Sequence, residues 1–88
     1  MASGNPARIF RPHGDPVAGG TFCVSITGEG PVTYWWEIDG LGGGQGVVAS
    51  PPATICVPIP PEVVGSVLSI GVHNKSGADG EDWIVRGV

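Results

Sequence analysis

The stretch that decides the fold is TFCVSITGEGPVTYWWEIDG, residues 21–40. Its first seven residues alternate, with Phe22, Val24 and Ile26 on one side and Cys23, Ser25 and Thr27 on the other, the period-two signature of a half-buried strand. Gly28 to Pro31 supplies turn chemistry. VTYWWEI (32–38) then alternates again, with Val32, Tyr34, Trp36 and Ile38 on one face and Trp35 and Glu37 on the other. Two adjacent tryptophans are thereby sent to opposite faces. Trp36 is expected in the core and Trp35 on the outside of a sheet.

Working outward, ARIFRP (7–12) reads as a first strand, followed by the turn-rich HGDPVAGG. DGLGGGQG (39–46) carries five glycines in eight residues and reads as a flexible connection, with at most a short edge strand in VVASPP. ATICVPI (53–59) points Ile55, Val57 and Ile59 inward and Cys56 outward, and Pro58, lacking an amide donor, belongs at an edge or gap. PPEVVG is a crossover, SVLSIGVHN (66–74) turns Leu68, Ile70 and Val72 inward, KSGADGE is a hairpin turn, and DWIVRGV (82–88) closes the chain as a strand. No stretch has helical periodicity. The pattern predicts an all-β, two-sheet sandwich of Greek-key type with about seven short strands, a small closed barrel being the alternative. Its predicted core includes Phe22, Val24, Trp36 and Ile70.

Eighty-eight residues make one domain, 1–88, with residues 1–7 as an N-terminal arm; a chain this short hides only ~60–65% of the surface it exposes when unfolded. Sixteen Gly and nine Pro would suggest low complexity, but the hydrophobic 41% lies in alternating runs that a disordered chain lacks. The formal charge is -4 and the basic residues are Arg8, Arg11, Lys75 and Arg86, too few to neutralise a row of phosphates, so nucleic acid is not an expected partner. No basic-then-apolar leader opens the sequence and no apolar run reaches the ~18 residues of a membrane helix. Synthesis in a cytoplasm, without membrane insertion, is the expectation.

Taken in order, PVAGGTFCVSITGEGPVTYWWEIDG followed by ATICVPIPPEVVGSVLSIGVHNKSG resembles the bacterial and viral immunoglobulin-like domains of the I-set type. The shared pattern is a Gly-Gly turn, an alternating strand, a Gly-Pro turn, a Tyr-x-Trp strand ending in Asp-Gly, another alternating strand, and a strand ending in Val-x-Asn-x-x-Gly. The match runs from about Asp15 to Val88. Carried over residue by residue, the resemblance puts Trp36 at the core tryptophan, Ile70 where the second conserved cysteine would stand and Leu68 at the corner tyrosine. Neither the second cysteine nor the tyrosine is present. The first conserved cysteine falls on Val24, so Cys23 is one residue off and faces outward. The resemblance thus implies an apolar Val24–Ile70 contact in place of an inter-sheet bridge, and truncation of Trp36 to Ala costing on the order of 3–5 kcal/mol. It also places Cys23 and Cys56 on neighbouring strands. They read as two reduced thiols, suited to a domain that folds in a reducing cytosol, with a surface disulfide or a cross-link to a partner as the alternative.

Catalytic chemistry finds no support. The imidazoles are His13 and His73, no Gly-x-Ser-x-Gly elbow occurs, and His73 reads as solvent-facing. Asp79, Glu81 and Asp82 lack the spacing of a calcium loop and read as a solvated turn. GLGGGQG has neither the glycine register nor the following helix of a phosphate loop. No cofactor or metal is expected. Trp35 is the informative side chain, because an exposed indole anchors a protein or stacks on a sugar ring; a covering loop or arm is the bland alternative, and Trp83 carries the same ambiguity.

The resemblance extends to immunoglobulin-like domains that decorate capsids or tails of tailed bacteriophages. It implies a non-enzymatic virion structural protein, made in the host cytoplasm, that docks on a finished shell through a capsid or other virion protein and stabilises it or presents a host-surface-binding face. Arg8, Phe10 and Arg11 are the expected docking residues, with loops at Glu29, Gly42–Gly46 and Asp79 facing outward and Met1–Pro12 removable without loss of the sandwich. The alternatives are a carbohydrate- or cell-surface-binding module with Trp35 on a glycan, and a tail-fibre spacer.

Overall fold

The alternating runs become strands, in the order β1 (Arg8–His13), β2 (Thr21–Thr27), β3 (Val32–Ile38), β4 (Gly42–Val48), β5 (Ala53–Pro58), β6 (Val67–Asn74) and β7 (Gly77–Ile84), with one 3-10 turn at Pro61–Val63. The computed structural model describes residues 4–87, so residues 1–3 of the predicted arm and Val88 lie outside the described residues. The strands form two antiparallel sheets, a three-stranded β1-β2-β5 and a four-stranded β4-β3-β6-β7. The chain crosses between sheets after β2, β4 and β5 and makes same-sheet connections elsewhere. This is the two-sheet sandwich that the sequence predicts.

Between the sheets lies an apolar core in which Phe22, Val24, Ile26, Val32, Ile38, Val57, Leu68, Ile70 and Val72 are all essentially inaccessible. Each comes from the face that alternation assigns inward, and Val24 and Ile70 are both buried there. Trp36 differs from expectation: it is only partly buried, packing against the core from the side with Tyr34, Val48 and Trp83. The central aromatic is Phe22, which meets Trp83 edge-to-face with ring centroids 4.9 Å apart, a geometry favoured by ring quadrupoles.

Two segments expected to be irregular are strands. The glycine run 42–46 belongs to β4, which pairs along its whole length with β3, from Val32 opposite Val48 to Ile38 opposite Gly42. Glycine is a poor strand former because it offers nothing to pack, and here the neighbouring strand supplies the missing groups. A Cβ on Gly44 would stand 3.1 Å from Trp36 Nε1, and one on Gly46 2.6 Å from the Tyr34 hydroxyl, so β3 aromatics cover bare β4 backbone. The acidic stretch 77–82 is likewise strand, paired with β6 around a tight turn at Lys75–Ser76. The expected loops at Gly42–Gly46 and Asp79 are therefore edge strands. Asp79 faces the inner side opposite Val72, and its Oδ2 accepts a 3.0 Å hydrogen bond from the Ile9 amide, clamping β7 to β1 of the other sheet.

At one end of the sandwich the Asn74 carboxamide ties three segments together. Its Oδ1 accepts from the amides of Ala7, Ser76 and Gly77 at 3.0–3.1 Å, and its Nδ2 donates to the carbonyls of Asn5 (2.9 Å) and Glu29 (3.0 Å). At the other end Val17 bridges Arg86 in parallel, with Ala18 N–H donating to the Arg86 carbonyl and Arg86 N–H to that of Pro16. The expectation that Met1–Pro12 is removable does not hold, because Ala7 and Ile9 are core residues and β1 pairs with β2.

The cysteines also depart from the expected reduced state. Cys23 stands directly opposite Cys56 on β2 and β5, with Cα atoms 4.0 Å apart, and the two form a disulfide. Cys23 is half-buried and Cys56 exposed, so the bridge lies on the outer face of the three-stranded sheet and is no substitute for an inter-sheet core bridge.

Asn74→Ala is expected to lower unfolding free energy by about 2–3 kcal/mol in urea titrations, since several donors and acceptors lose their partner at once. Reducing the Cys23–Cys56 bridge, which closes a loop of sequence separation 33, is expected to cost about 2–4 kcal/mol while leaving the circular dichroism spectrum in native buffer unchanged.

Candidate binding surfaces

The first surface is β1. Its register with β2 slips between Ile9, opposite Ile26, and Arg11, opposite Ser25, so Phe10 is the extra residue of a β-bulge. A bulge re-aims side chains. Ile9 points into the core at 7% exposure while Phe10 stands 69% exposed, the most exposed large apolar side chain among the described residues. Arg8 and Arg11 flank it, both exposed. The ion pair found among the described residues is elsewhere, Arg86 with Asp15 at 2.9 Å. Beside the patch lies a shallow depression of about 250 Å³ lined by Pro6, Ala7, Arg8, Ala78 and Asp79. The three predicted docking residues are thus brought together on one strand.

The second surface is the outer face of the four-stranded sheet. Trp35 lies opposite Gln45 on one side and Gly71 on the other, and Gly71 lies opposite Gly80. The indole rests on the Gly71 backbone: a Cβ there would stand only 2.3–2.4 Å from the ring atoms Cε2, Nε1 and Cζ2. Gly71 is buried by this contact, and Trp35 keeps 42% exposure. The register puts Glu37, Ser69, Asp82, Thr33 and His73 on the same face, so a flat half-open indole sits among hydrogen-bonding groups. An open depression of about 400 Å³ adjoins it, lined by Trp35, Trp36, Glu37, Gly43, Gly44 and Gln45. Alternation alone locates Trp35 outside. The part played by Gly71 is invisible without the β3–β6 register, although an isolated glycine inside a strand pattern is the available signal for close approach.

The remaining candidates do not converge on a reaction. His13 Nε2 lies 2.7 Å from Ser25 Oγ, while His73 belongs to the other sheet. Among the described residues no group of three or more His, Cys, Asp or Glu side chains gathers as a metal site, and no helix is long and apolar enough to cross a membrane. No protein family matches the chain, and comparison with curated proteins and with solved structures returns no similar one.

Gly71→Ala is expected to push the Trp35 ring off the sheet and cost about 1–3 kcal/mol in thermal or urea unfolding, the overpacking range. Trp35→Ala in the same background should recover most of that loss, since the clash is then gone.

Proposed function

We propose that the chain is a non-enzymatic structural accessory protein of a virion, of the bacteriophage capsid-decoration type, that docks on a larger protein surface through Phe10, Arg8 and Arg11. The observation that carries this reading is the bulged β1 patch: an aromatic held out of the sandwich between two arginines, on a chain that is otherwise acidic. Aromatic and Arg side chains are the residues most enriched among interface hot spots, and they act best when surrounded by a polar rim. The order of strands and turns, which resembles that of viral immunoglobulin-like domains, supplies the class of assembly. Repetition of the contact over a symmetric shell would let each copy bind modestly.

The exposed disulfide refines this reading and removes one of its supports. Reduced thiols had linked the chain to a cytosol, and the Cys23–Cys56 bridge instead suits an exterior, oxidising setting such as a virion or cell surface. Since the bridge sits outside the core, the sandwich can assemble before it closes. A second reading rests on Trp35: a half-exposed indole laid flat on a glycine, ringed by Glu37, Gln45, Ser69 and His73, has the form of a stacking platform for a sugar ring, and makes the domain a glycan- or cell-surface-binding module.

Sedimentation with particles from the native source separates the two. Docking predicts saturable co-sedimentation in fixed stoichiometry, weakened by Phe10→Ala by about 2 kcal/mol or more and by charge reversal of Arg8 and Arg11, with Trp35→Ala neutral. Retention on glycans, released by free sugar and lost in Trp35→Ala, transfers the function to the second surface. Phe10→Ala should leave stability within about 0.5 kcal/mol, as for an exposed site.

A further inference from the structure

The four sheet edges are not equally protected. β1 carries Arg8, Arg11, Pro12 and a bulge, and its Ile9 amide is already taken by Asp79. β5 ends in Pro58 and follows Pro51-Pro52. β7 carries Asp79, Glu81 and Asp82, and its Gly80 amide donates to Asp79 Oδ1. These are the charges, prolines and irregularities with which natural sheets block edge-to-edge pairing. β4, GGGQGVV, pairs with β3 without a register shift, and only its first residue, Gly42, stands at positive φ (113°). It holds no charge and no proline, none of its groups takes part in a side-chain hydrogen bond among the described residues, and Val47 is 64% exposed.

Its sequence is also complementary to itself. Laid antiparallel about a two-fold axis at Gln45, Val47 and Val48 fall opposite Gly43 and Gly42 of the second copy, Gly46 falls opposite Gly44, and the two Gln45 amides meet. Each valine faces a bare residue, the relation already used inside the molecule where Trp36 covers Gly44 and Trp35 covers Gly71. We propose that β4 is a self-recognition edge through which two copies of this chain join their four-stranded sheets into one continuous eight-stranded antiparallel sheet. The occupant is a second copy because an uncharged edge gives the acidic chain nothing with which to select a charged partner, and because the size pattern closes on itself under a two-fold, as an isologous contact requires.

The pairing goes beyond the docking role and leaves it intact. β1 is clamped to β7, at the opposite side of the sheet from β4, so the two Phe10 patches lie at the far ends of the pair. The two Trp35 side chains share one face, separated by the two β4 strands, which at sheet spacing is about 14 Å.

Sedimentation equilibrium of the purified protein up to about 1 mM, with hydrogen exchange of the backbone amides, tests the proposal. The expected result is a concentration-dependent rise from 8.9 kDa to twice that mass, with protection gained by β4 amides alone. The register is tested by charge. Glu37 lies opposite Gly43 within its own sheet and therefore looks across that bare residue at Val47 of the second copy. Val47→Glu should raise the dimer dissociation constant about two- to fourfold at low salt, through two symmetry-related repulsions across about 10 Å, and Val47→Lys should lower it there. Both substitutions are at an exposed position, and circular dichroism checks that they fold. A single 8.9 kDa species throughout, a dimer without β4 protection, or a dimer indifferent to the charge at position 47 would each overturn the proposal.

Discussion

The carboxamide of Asn74 is the contact on which the arrangement of the sandwich turns. The two sheets have no strand pairing in common, so apart from core packing their alignment depends on a few crossing ties. Asn74 provides the densest of them, joining the segment before β1, the turn after β2 and the turn after β6 through five hydrogen bonds on one side chain. A carboxamide offers both kinds of group at once, where an aspartate would present acceptors to the Asn5 and Glu29 carbonyls and a lysine would present donors to three amides. The Asp79–Ile9 clamp lies near it along the same sheet side, and the Val17–Arg86 bridge closes the opposite end. The Arg86–Asp15 ion pair beside that bridge is exposed on both partners and contributes little.

Fold and surface were legible in the sequence to different depths. Alternation located the core faces of β2, β3, β5 and β6, because one-sided burial forces a period of two. It failed at β4 and β7 for a shared reason: their residues, glycine in one and acids in the other, have low intrinsic strand preference and acquire their structure from the neighbour they pair with. The strand expected at 82–88 lies eight residues long at Gly77–Ile84 instead. Alternation puts Trp36 on the correct face, yet its indole reaches over Gly44 and stays partly buried, leaving Phe22 as the fully buried aromatic. The disulfide was half legible. Alternation turns both cysteines outward and the immunoglobulin-like resemblance implies neighbouring strands, but only the register, Cys23 opposite Cys56, makes them partners.

For the candidate surfaces, exposure of Phe10 and Trp35 is what the structure adds. A six-residue strand cannot announce a bulge, so whether Phe10 or Ile9 points outward was open until the β1–β2 register was known. The result is a small domain whose distinctive groups are segregated: basic and aromatic on β1, acidic on β7, bare and neutral on β4, cross-linked across β2 and β5. Such segregation lets one sandwich meet different neighbours on different sides without the contacts competing for area.

The interlock between β3 aromatics and facing glycines bears on how this chain can change over generations. Tyr34 and Trp35 occupy the space that a side chain on Gly46 or Gly71 would need, and Trp36 lies 3.1 Å from where a Cβ on Gly44 would stand, close enough that the ring would have to give way slightly. A change in either member of such a pair acts on the other, since enlarging the glycine crowds the aromatic and shrinking the aromatic uncovers backbone. The two positions of each pair are therefore energetically coupled, most tightly at Trp35 and Gly71, and the three pairs, spread over three strands, constrain one another's change.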